Sequence, residues 1–226
     1  MALGDRPGAR GASGIVGQRR VGIFGGTFDP VHIGHLIIAE EARVRLALEA
    51  VLWVPARISP HKLCDAPASA AHRLRMVEMA VASNAHFRVS TMEIERDGPS
   101  YTVDTLQTYR DSLGPEVDLY FIMGTDSLEG FGRWREPERI LSLCRLVVAS
   151  RPGHDLDLAD LERQVPGLRE RLDVLDGVDI GISSTELRAR VRGGLPIRYQ
   201  VPEEVREYIA REGLYARACE PQPMGR

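Results

Sequence analysis

Two histidines three residues apart, His32 and His35, follow a glycine-rich turn in the stretch GIFGGTFDPVHIGHL, residues 22–36. Glycines let a backbone approach a ligand closely, and Asp29-Pro30 predicts a turn. A helix that begins near His32 would place both imidazoles on one side and point its first amides at an anion. Imidazoles there can bind phosphate oxygens and stabilise the charge that builds up during transfer. We therefore favour a phosphate site over a capped helix with incidental histidines.

A second stretch, ISSTELR at residues 182–188, also predicts a helix start. Ser183 and Glu186 have the S-x-x-E spacing of a capping box, which explains the serines without any ligand. Arg188 is not explained in this way, because a cation in the first turns of a helix opposes the helix dipole unless an anion lies there. Hydroxyls, free amides and Arg188 together predict a second phosphate site.

Alternating strands and helices must position these residues. Apolar runs predict strands at 20–24, 50–56, 86–94, 117–124 and 144–150, and apolar residues at helical spacing predict helices at 33–48, 70–83, 101–113 and 136–143. Such alternation predicts an α/β fold, a Rossmann-like, doubly wound, mostly parallel sheet covered on both faces. Ligands bind such sheets outside the carboxyl ends of the strands. From about residue 156 we expect a helix, a β-like stretch at 178–184 and two more helices, as a small C-terminal helical end.

Composition limits the other classes of function. The chain has 226 residues, a net charge of −3 and a pI near 6.1, so nucleic acid is not expected as a partner. We expect a disordered extension at 1–19, one domain at 20–215 and a disordered tail at 216–226. Neither a signal peptide nor a membrane span is predicted. Three scattered cysteines (Cys64, Cys144 and Cys219) predict neither a disulfide framework nor a zinc site, which favours a cytoplasmic location.

Other phosphate-binding motifs are missing from the sequence. No G-x-G-x-x-G follows the first strand, and no G-x-x-x-x-G-K-[ST] occurs anywhere. Their absence weighs against a dinucleotide-dependent oxidoreductase and against a P-loop nucleotide hydrolase.

The stretch GGTFDPVHIGHL resembles the H-x-G-H signature of the nucleotidyltransferase superfamily, and most closely that of its nicotinate mononucleotide adenylyltransferase branch. ISSTELR is similar to the second signature of the superfamily, I-S-S-T-x-x-R, and the resemblance extends from about residue 21 to 215. Class I aminoacyl-tRNA synthetases share the H-x-G-H element, but they would need a KMSKS-type lysine loop, which this sequence lacks. The resemblance implies a reaction of ATP with nicotinate mononucleotide in NAD biosynthesis, with Mg²⁺ held mainly by the ATP phosphates.

The resemblance also implies roles for individual residues. It makes His32, His35 and Arg188 catalytic, and it gives Asp126 to a ribose hydroxyl, although this side chain could equally cap a helix. The ATP-binding residues it implies are Gly25, Gly26, Thr27, Phe28, His32, His35, Gly124, Asp126, Arg151, Ser183, Ser184, Thr185 and Arg188. Those implied for nicotinate mononucleotide are Lys62, Tyr101, Thr102 and Trp134. Lys62 lies in VPARISPHK, which has Ser59 where the branch often has a second proline.

Three alternatives remain open at this point. A sibling adenylyltransferase acting on nicotinamide mononucleotide or pantetheine phosphate would use the same two phosphate motifs. A hydride-transferring oxidoreductase and a non-catalytic nucleotide-binding module are different classes, and a fold alone would not exclude the latter. The oligomeric state is also open, and a homo-oligomer is compatible with the sequence.

Overall fold

A computed structural model describes residues 19–57, 68–149, 157–178 and 180–216 of the chain. Its strands, numbered in chain order, are β1 (Arg19–Gly26), β2 (Ala50–Pro55), β3 (Phe87–Val89), β4 (Val117–Gly124), β5 (Arg145–Ala149) and β6 (Leu172–Leu175). These strands form one sheet in the order β3-β2-β1-β4-β5-β6, and every neighbouring pair is parallel. The order reverses between β1 and β4, so the fold is a doubly wound α/β sheet, as predicted.

Helices connect the strands and follow the last one. The α-helices of the described ranges are α1 (Ile33–Arg45), α2 (Ala70–Val81), α3 (Met92–Glu95), α4 (Thr102–Leu113), α5 (Thr125–Glu129), α6 (Pro137–Leu143), α7 (Leu158–Gln164), α8 (Ser184–Arg192) and α9 (Glu203–Arg211). None of them is long and apolar enough to cross a membrane.

The hydrophobic core has two parts, one on each face of the sheet. Side chains from α1, α2, α8 and α9 pack together on one face, and those from α4, α5, α6 and α7 on the other. The C-terminal helices therefore share the core of the first face, where Leu187, Val205 and Ile209 are almost fully buried. Their packing brings Tyr215, which follows α9, close to the turn before α1.

Two predictions about single elements were wrong. The strand expected at 86–94 covers only Phe87–Val89. The backbone N–H of Ser90 donates to the Trp53 carbonyl, after which the chain leaves the sheet and forms α3. The β-like stretch expected at 178–184 contains no strand in its described residues. The sixth strand lies earlier, at Leu172–Leu175, where it pairs with the edge of β5.

Candidate active site

The two histidines begin α1 as a reciprocal cap. Nδ1 of His32 accepts the backbone N–H of His35 at 3.4 Å, and Nδ1 of His35 accepts that of His32 at 3.2 Å. Their rings stack with centroids 3.6 Å apart. Because both Nδ1 atoms accept hydrogen bonds, each neutral ring carries its proton on Nε2. The predicted helix start is therefore present, and its capping groups are the histidines themselves.

Gly34, between the histidines, leaves room for this arrangement. A Cβ atom at this position would lie 3.0 Å from Nδ1 of His32 and 3.3 Å from a methyl carbon of Ile180. Such contacts are tighter than ordinary van der Waals packing, so a side chain here would displace the ring of His32. The position of the first histidine therefore requires a residue without a side chain at Gly34.

The second motif lies directly against the first. Ser183 caps α8, since its Oγ accepts the backbone N–H of Glu186 at 3.2 Å, as the capping-box pattern predicts. Ser184 donates from its hydroxyl to the carbonyl of Pro30 at 2.9 Å, across 154 positions of sequence. The turn before α1 and the start of α8 are therefore joined by a direct hydrogen bond, which places the two predicted phosphate motifs side by side.

Arg188 reaches from α8 to the turn before α1. Its Nη1 donates to the main-chain oxygen of Asp29 at 2.9 Å and lies 3.8 Å from Oδ2 of the same residue. A cation at this point of a helix needs an anion nearby, and the structure places the Asp29 carboxylate there. Asp29 was not among the predicted site residues, although its position in the Asp-Pro turn was noted.

Asp29 is a buried acid with several partners. Its side chain is 4% exposed, and Oδ1 accepts the hydroxyl of Tyr215 at 2.6 Å and the backbone N–H of Ala68 at 3.1 Å. Burial and the nearby Asp29 carboxylate raise the pKa of the Tyr215 hydroxyl, which therefore stays protonated and donates. Asp29 thus connects the first motif to Arg188 and to Tyr215.

Arg73 of α2 is a buried cation beneath this turn, with 2% of its surface exposed. Its guanidinium donates to four carbonyl oxygens, those of Ala68, Thr27, Ala56 and Arg57. Burial lowers the pKa of Arg73, and the Asp29 carboxylate opposes that change. A sequence signal for this residue existed, because Arg73 precedes buried Met76 and Val77 at helical spacing and so lies on the apolar face.

A cavity of about 140 Å³ opens beside the end of β1. Tyr101, Thr102 and Trp134, which the sequence assigned to the second substrate, all line it, together with the glycines that end β1. Tyr101 is the N-cap of α4 and Thr102 its first residue, so the start of this helix borders the cavity. Trp134 is half-buried and meets the ring of Phe121 edge to face at 6.0 Å. The structure brings these three residues together.

Two charged residues in this cavity were missed. The Arg135 guanidinium lies 4.9 Å from the centre of the Tyr101 ring. Glu93 is 7% exposed and accepts the hydroxyl of Thr105 at 2.7 Å. Burial raises the pKa of the Glu93 carboxyl, against the opposing effect of its hydrogen bonds to Thr105 and Ser100. Glu93 lay in a stretch predicted as a strand, which concealed its position in α3.

Asp126 lies at the end of β4, next to the end of β1. Gly124, not Asp126, is the N-cap of α5, and Asp126 lies in the first turn of that helix. Asp126 is therefore not the N-cap residue itself, and it is exposed at the end of the sheet where the predicted phosphate motifs lie. Lys62 and Arg151 lie outside the described residues. In the part of the chain that is described, no group of three or more His, Cys, Asp or Glu side chains could hold a metal ion.

Comparison with known proteins agrees with this geometry. A family model described as cytidylyltransferase-like matches residues 23–190. A protein of Roseiflexus sp. (strain RS-1), named as a probable nicotinate-nucleotide adenylyltransferase, is 52% identical over 195 residues, which cover 86% of this chain and 97% of the relative. A protein of Thermomicrobium roseum with the same name is 46% identical over 196 residues, which cover 87% of this chain and 91% of that relative.

A solved structure shares the fold. Plasmodium falciparum nicotinic acid mononucleotide adenylyltransferase complexed with NaAD aligns with a TM-score of 0.70 at 19% identity, covering 87% of this chain and 97% of that one. At this identity the likeness concerns the fold alone. The family model and the relatives of high identity show that the chain belongs to the cytidylyltransferase-like family and, within it, to the nicotinate-nucleotide adenylyltransferases.

Proposed function

We propose that this protein joins ATP and nicotinate mononucleotide to form nicotinate adenine dinucleotide and pyrophosphate, a step of NAD biosynthesis. The observation that carries the proposal is the joined pair of helix starts at the end of β1, where the stacked histidines and Arg188 lie beside the cavity of Tyr101 and Trp134. The relatives of high identity, which the chain matches over nearly their whole length, carry the name of this activity.

In this proposal the two halves of the site bind different substrates. ATP lies along the ends of β1 and β4, with its phosphates at the starts of α1 and α8 and its ribose near Asp126. The pyridine ring of the mononucleotide enters the cavity, where Trp134 offers a partly exposed aromatic face. The two substrates then meet near Gly25 and Gly26, which line the same cavity.

The reaction requires positioning and charge stabilisation more than a covalent protein nucleophile. A phosphate oxygen of the mononucleotide attacks the α-phosphorus of ATP in line, and the bond from that phosphorus to the bridging oxygen of pyrophosphate breaks. His32 and His35 donate from Nε2 to phosphate oxygens, because their Nδ1 atoms are held by the helix cap. Arg188 stabilises the charge that develops on the leaving pyrophosphate.

We propose that Mg²⁺ enters with ATP and is held mainly by phosphate oxygens and water. The donor chemistry fits this arrangement, since Mg²⁺ prefers oxygen ligands and usually keeps several waters. The buried Asp29 carboxylate already accepts hydrogen bonds from Tyr215 and Ala68, so it is not the expected ligand. When bound, the ion supplies further neutralisation of the triphosphate charge.

The cavity favours the acid, nicotinate mononucleotide, over its amide. The start of α4 offers amides and positive potential, the Thr102 hydroxyl can donate, and the Arg135 cation lines the same cavity. An ionised Glu93 would repel a carboxylate, and burial, which raises the pKa of this carboxyl, reduces that repulsion. A carboxylate gains charge-assisted hydrogen bonds here, whereas an amide would direct its NH₂ group at donors.

The test is pyrophosphate release with ATP and three acceptors, namely nicotinate mononucleotide, nicotinamide mononucleotide and phosphopantetheine. We expect kcat/KM for the acid to exceed that for the amide by about tenfold to several hundredfold, the effect of one or two charge-assisted hydrogen bonds. Preference for the amide or for phosphopantetheine would identify a sibling adenylyltransferase instead. Binding of ATP without pyrophosphate release from any acceptor would indicate a non-catalytic module.

A further inference from the structure

We propose that Tyr215, near the end of the chain, positions Arg188 for ATP by restraining the carboxylate of Asp29. The proposal rests on the function proposed above, in which Arg188 serves the ATP phosphates. Tyr215 is a positioning residue here, since it acts on the substrate only through Asp29 and Arg188.

The contact between Tyr215 and Asp29 is short and buried. The tyrosine hydroxyl donates to Oδ1 of Asp29 at 2.6 Å, across 186 positions of sequence, and the carboxylate is 4% exposed. Hydrogen bonds to a carboxylate in a site of low dielectric are stronger than in water, and they hold the group in one orientation. Tyr215 and the backbone N–H of Ala68 together occupy Oδ1 and so orient the carboxylate.

That orientation limits how strongly Asp29 pairs with Arg188. Oδ2 lies 3.8 Å from Nη1 of Arg188, which is longer than a direct hydrogen bond, and Nη1 donates to the main-chain oxygen of Asp29 instead. Arginine and a free carboxylate prefer a bidentate pair with two short bonds. Without the tyrosine hydroxyl, the carboxylate can turn toward Arg188 and compete with the phosphates for its guanidinium.

The proposal predicts a specific pattern of losses. Tyr215→Phe keeps the ring and removes only the hydroxyl, so we expect the Kd and KM for ATP to rise about tenfold, the effect of one charge-assisted hydrogen bond. The KM for nicotinate mononucleotide should not change, because Tyr215 is absent from the lining of the cavity. A merely structural contact would weaken both substrates alike.

A double-mutant cycle tests whether Tyr215 acts through Arg188. ATP affinity is measured by calorimetry on the full chain for the wild type, Tyr215→Phe, Arg188→Ala and the double variant. We expect Tyr215→Phe to cost about tenfold when Arg188 is present and nothing measurable when it is absent. Equal costs in both backgrounds would overturn the proposal, as would an unchanged ATP affinity in Tyr215→Phe.

Tyr208→Phe is a matched control. Tyr208 lies in α9, and its hydroxyl is 2.8 Å from Nδ1 of His72 in α2, outside the proposed site. This variant should bind ATP as the wild type does, and a loss equal to that of Tyr215→Phe would overturn the proposal. If Tyr215→Phe does not fold, Asp29→Asn replaces it, since it removes the charge that competes for Arg188. We then expect ATP affinity to be retained or increased, and a tenfold loss would count against the proposal.

The two proposals fail separately. Calorimetry with ATP alone does not depend on the acceptor, so coupling between Tyr215 and Arg188 can appear even if nicotinate mononucleotide is not the substrate. Conversely, full activity with nicotinate mononucleotide and an additive cycle would overturn only the role of Tyr215.

Discussion

His32 and His35 each accept the backbone N–H of the other, and their imidazoles stack with centroids 3.6 Å apart. The Nδ1 atoms therefore cap α1, and in the proposed function the Nε2 side of each ring serves phosphate oxygens. A substitution that replaces the Nδ1 acceptor but not the Nε2 donor should preserve the stability of the helix and lower turnover.

His35→Asn and His35→Ala make this separation at the second histidine. Asparagine can supply an acceptor near the position of Nδ1, so we expect it to retain most of the cap, whereas alanine should lower the free energy of unfolding by about 0.5–2 kcal/mol. Both variants lose Nε2, and kcat should fall by about 10²–10³, the usual cost of one preorganised donor. Urea unfolding and steady-state kinetics measure the two effects.

His86→Asn is the control for these variants, because Nδ1 of His86 contacts the Glu49 carbonyl at an exposed position away from the site. It should leave kcat unchanged. Turnover at the wild-type level in a folded His35→Asn variant would show that Nε2 of His35 has no part in catalysis.

Arg188→Ala should weaken ATP more than nicotinate mononucleotide, because the guanidinium lies at the helix starts and not in the cavity lining. Arg188→Lys should restore only part of the loss, since an ammonium lacks the planar donor fork that matches phosphate. KM values for both substrates decide the point, and equal increases would argue against this division of the site.

Glu93→Gln should change how stability depends on pH. Burial raises the folded-state pKa of Glu93 above its usual 4.5, so the folded protein binds this proton more tightly than the unfolded chain does. The stability from this group is complete below pH 4.5 and is lost as pH rises through the raised pKa. The glutamine, which is always neutral, should therefore match the wild type in acid and exceed it in Tm at neutral and alkaline pH.

Thermal unfolding across that pH range measures the difference. Asp97→Asn is a suitable comparison, because its carboxylate is almost fully exposed. Parallel curves for Glu93→Gln and the wild type would show that burial does not govern the titration of this group.

Local patterns in the sequence predicted most of the fold. Five apolar runs correspond to β1–β5. Glycine and proline residues interrupt the pattern between these strands and the helices that follow them. β6 was not predicted, because Leu172–Leu175 is a short edge strand whose side chains are mainly half-exposed and show no clear apolar run. Its position depends on pairing with β5, which is a tertiary effect that no local pattern contains.

The site was predictable where chemistry and local structure coincide. Both phosphate motifs are helix starts, so a few consecutive residues define them. Arg73 and Tyr215 contact residues that are distant in the sequence. Neither belongs to a motif from which those contacts could be predicted. Asp29 lies inside the first motif, yet its contact with Tyr215 depends on how α9 packs against the first face of the sheet.

The direction of β1 has a practical consequence for handling the protein. Arg19 begins this strand at its amino end, whereas the site lies at the carboxyl ends of the strands. Eight residues of extended chain span roughly 23 Å. Tyr215, in contrast, contacts Asp29 within the site itself. An affinity tag or fluorescent label joined directly before Arg19 should thus leave ATP binding unaffected, whereas one joined directly after Ala216 would follow the segment that contacts the first motif.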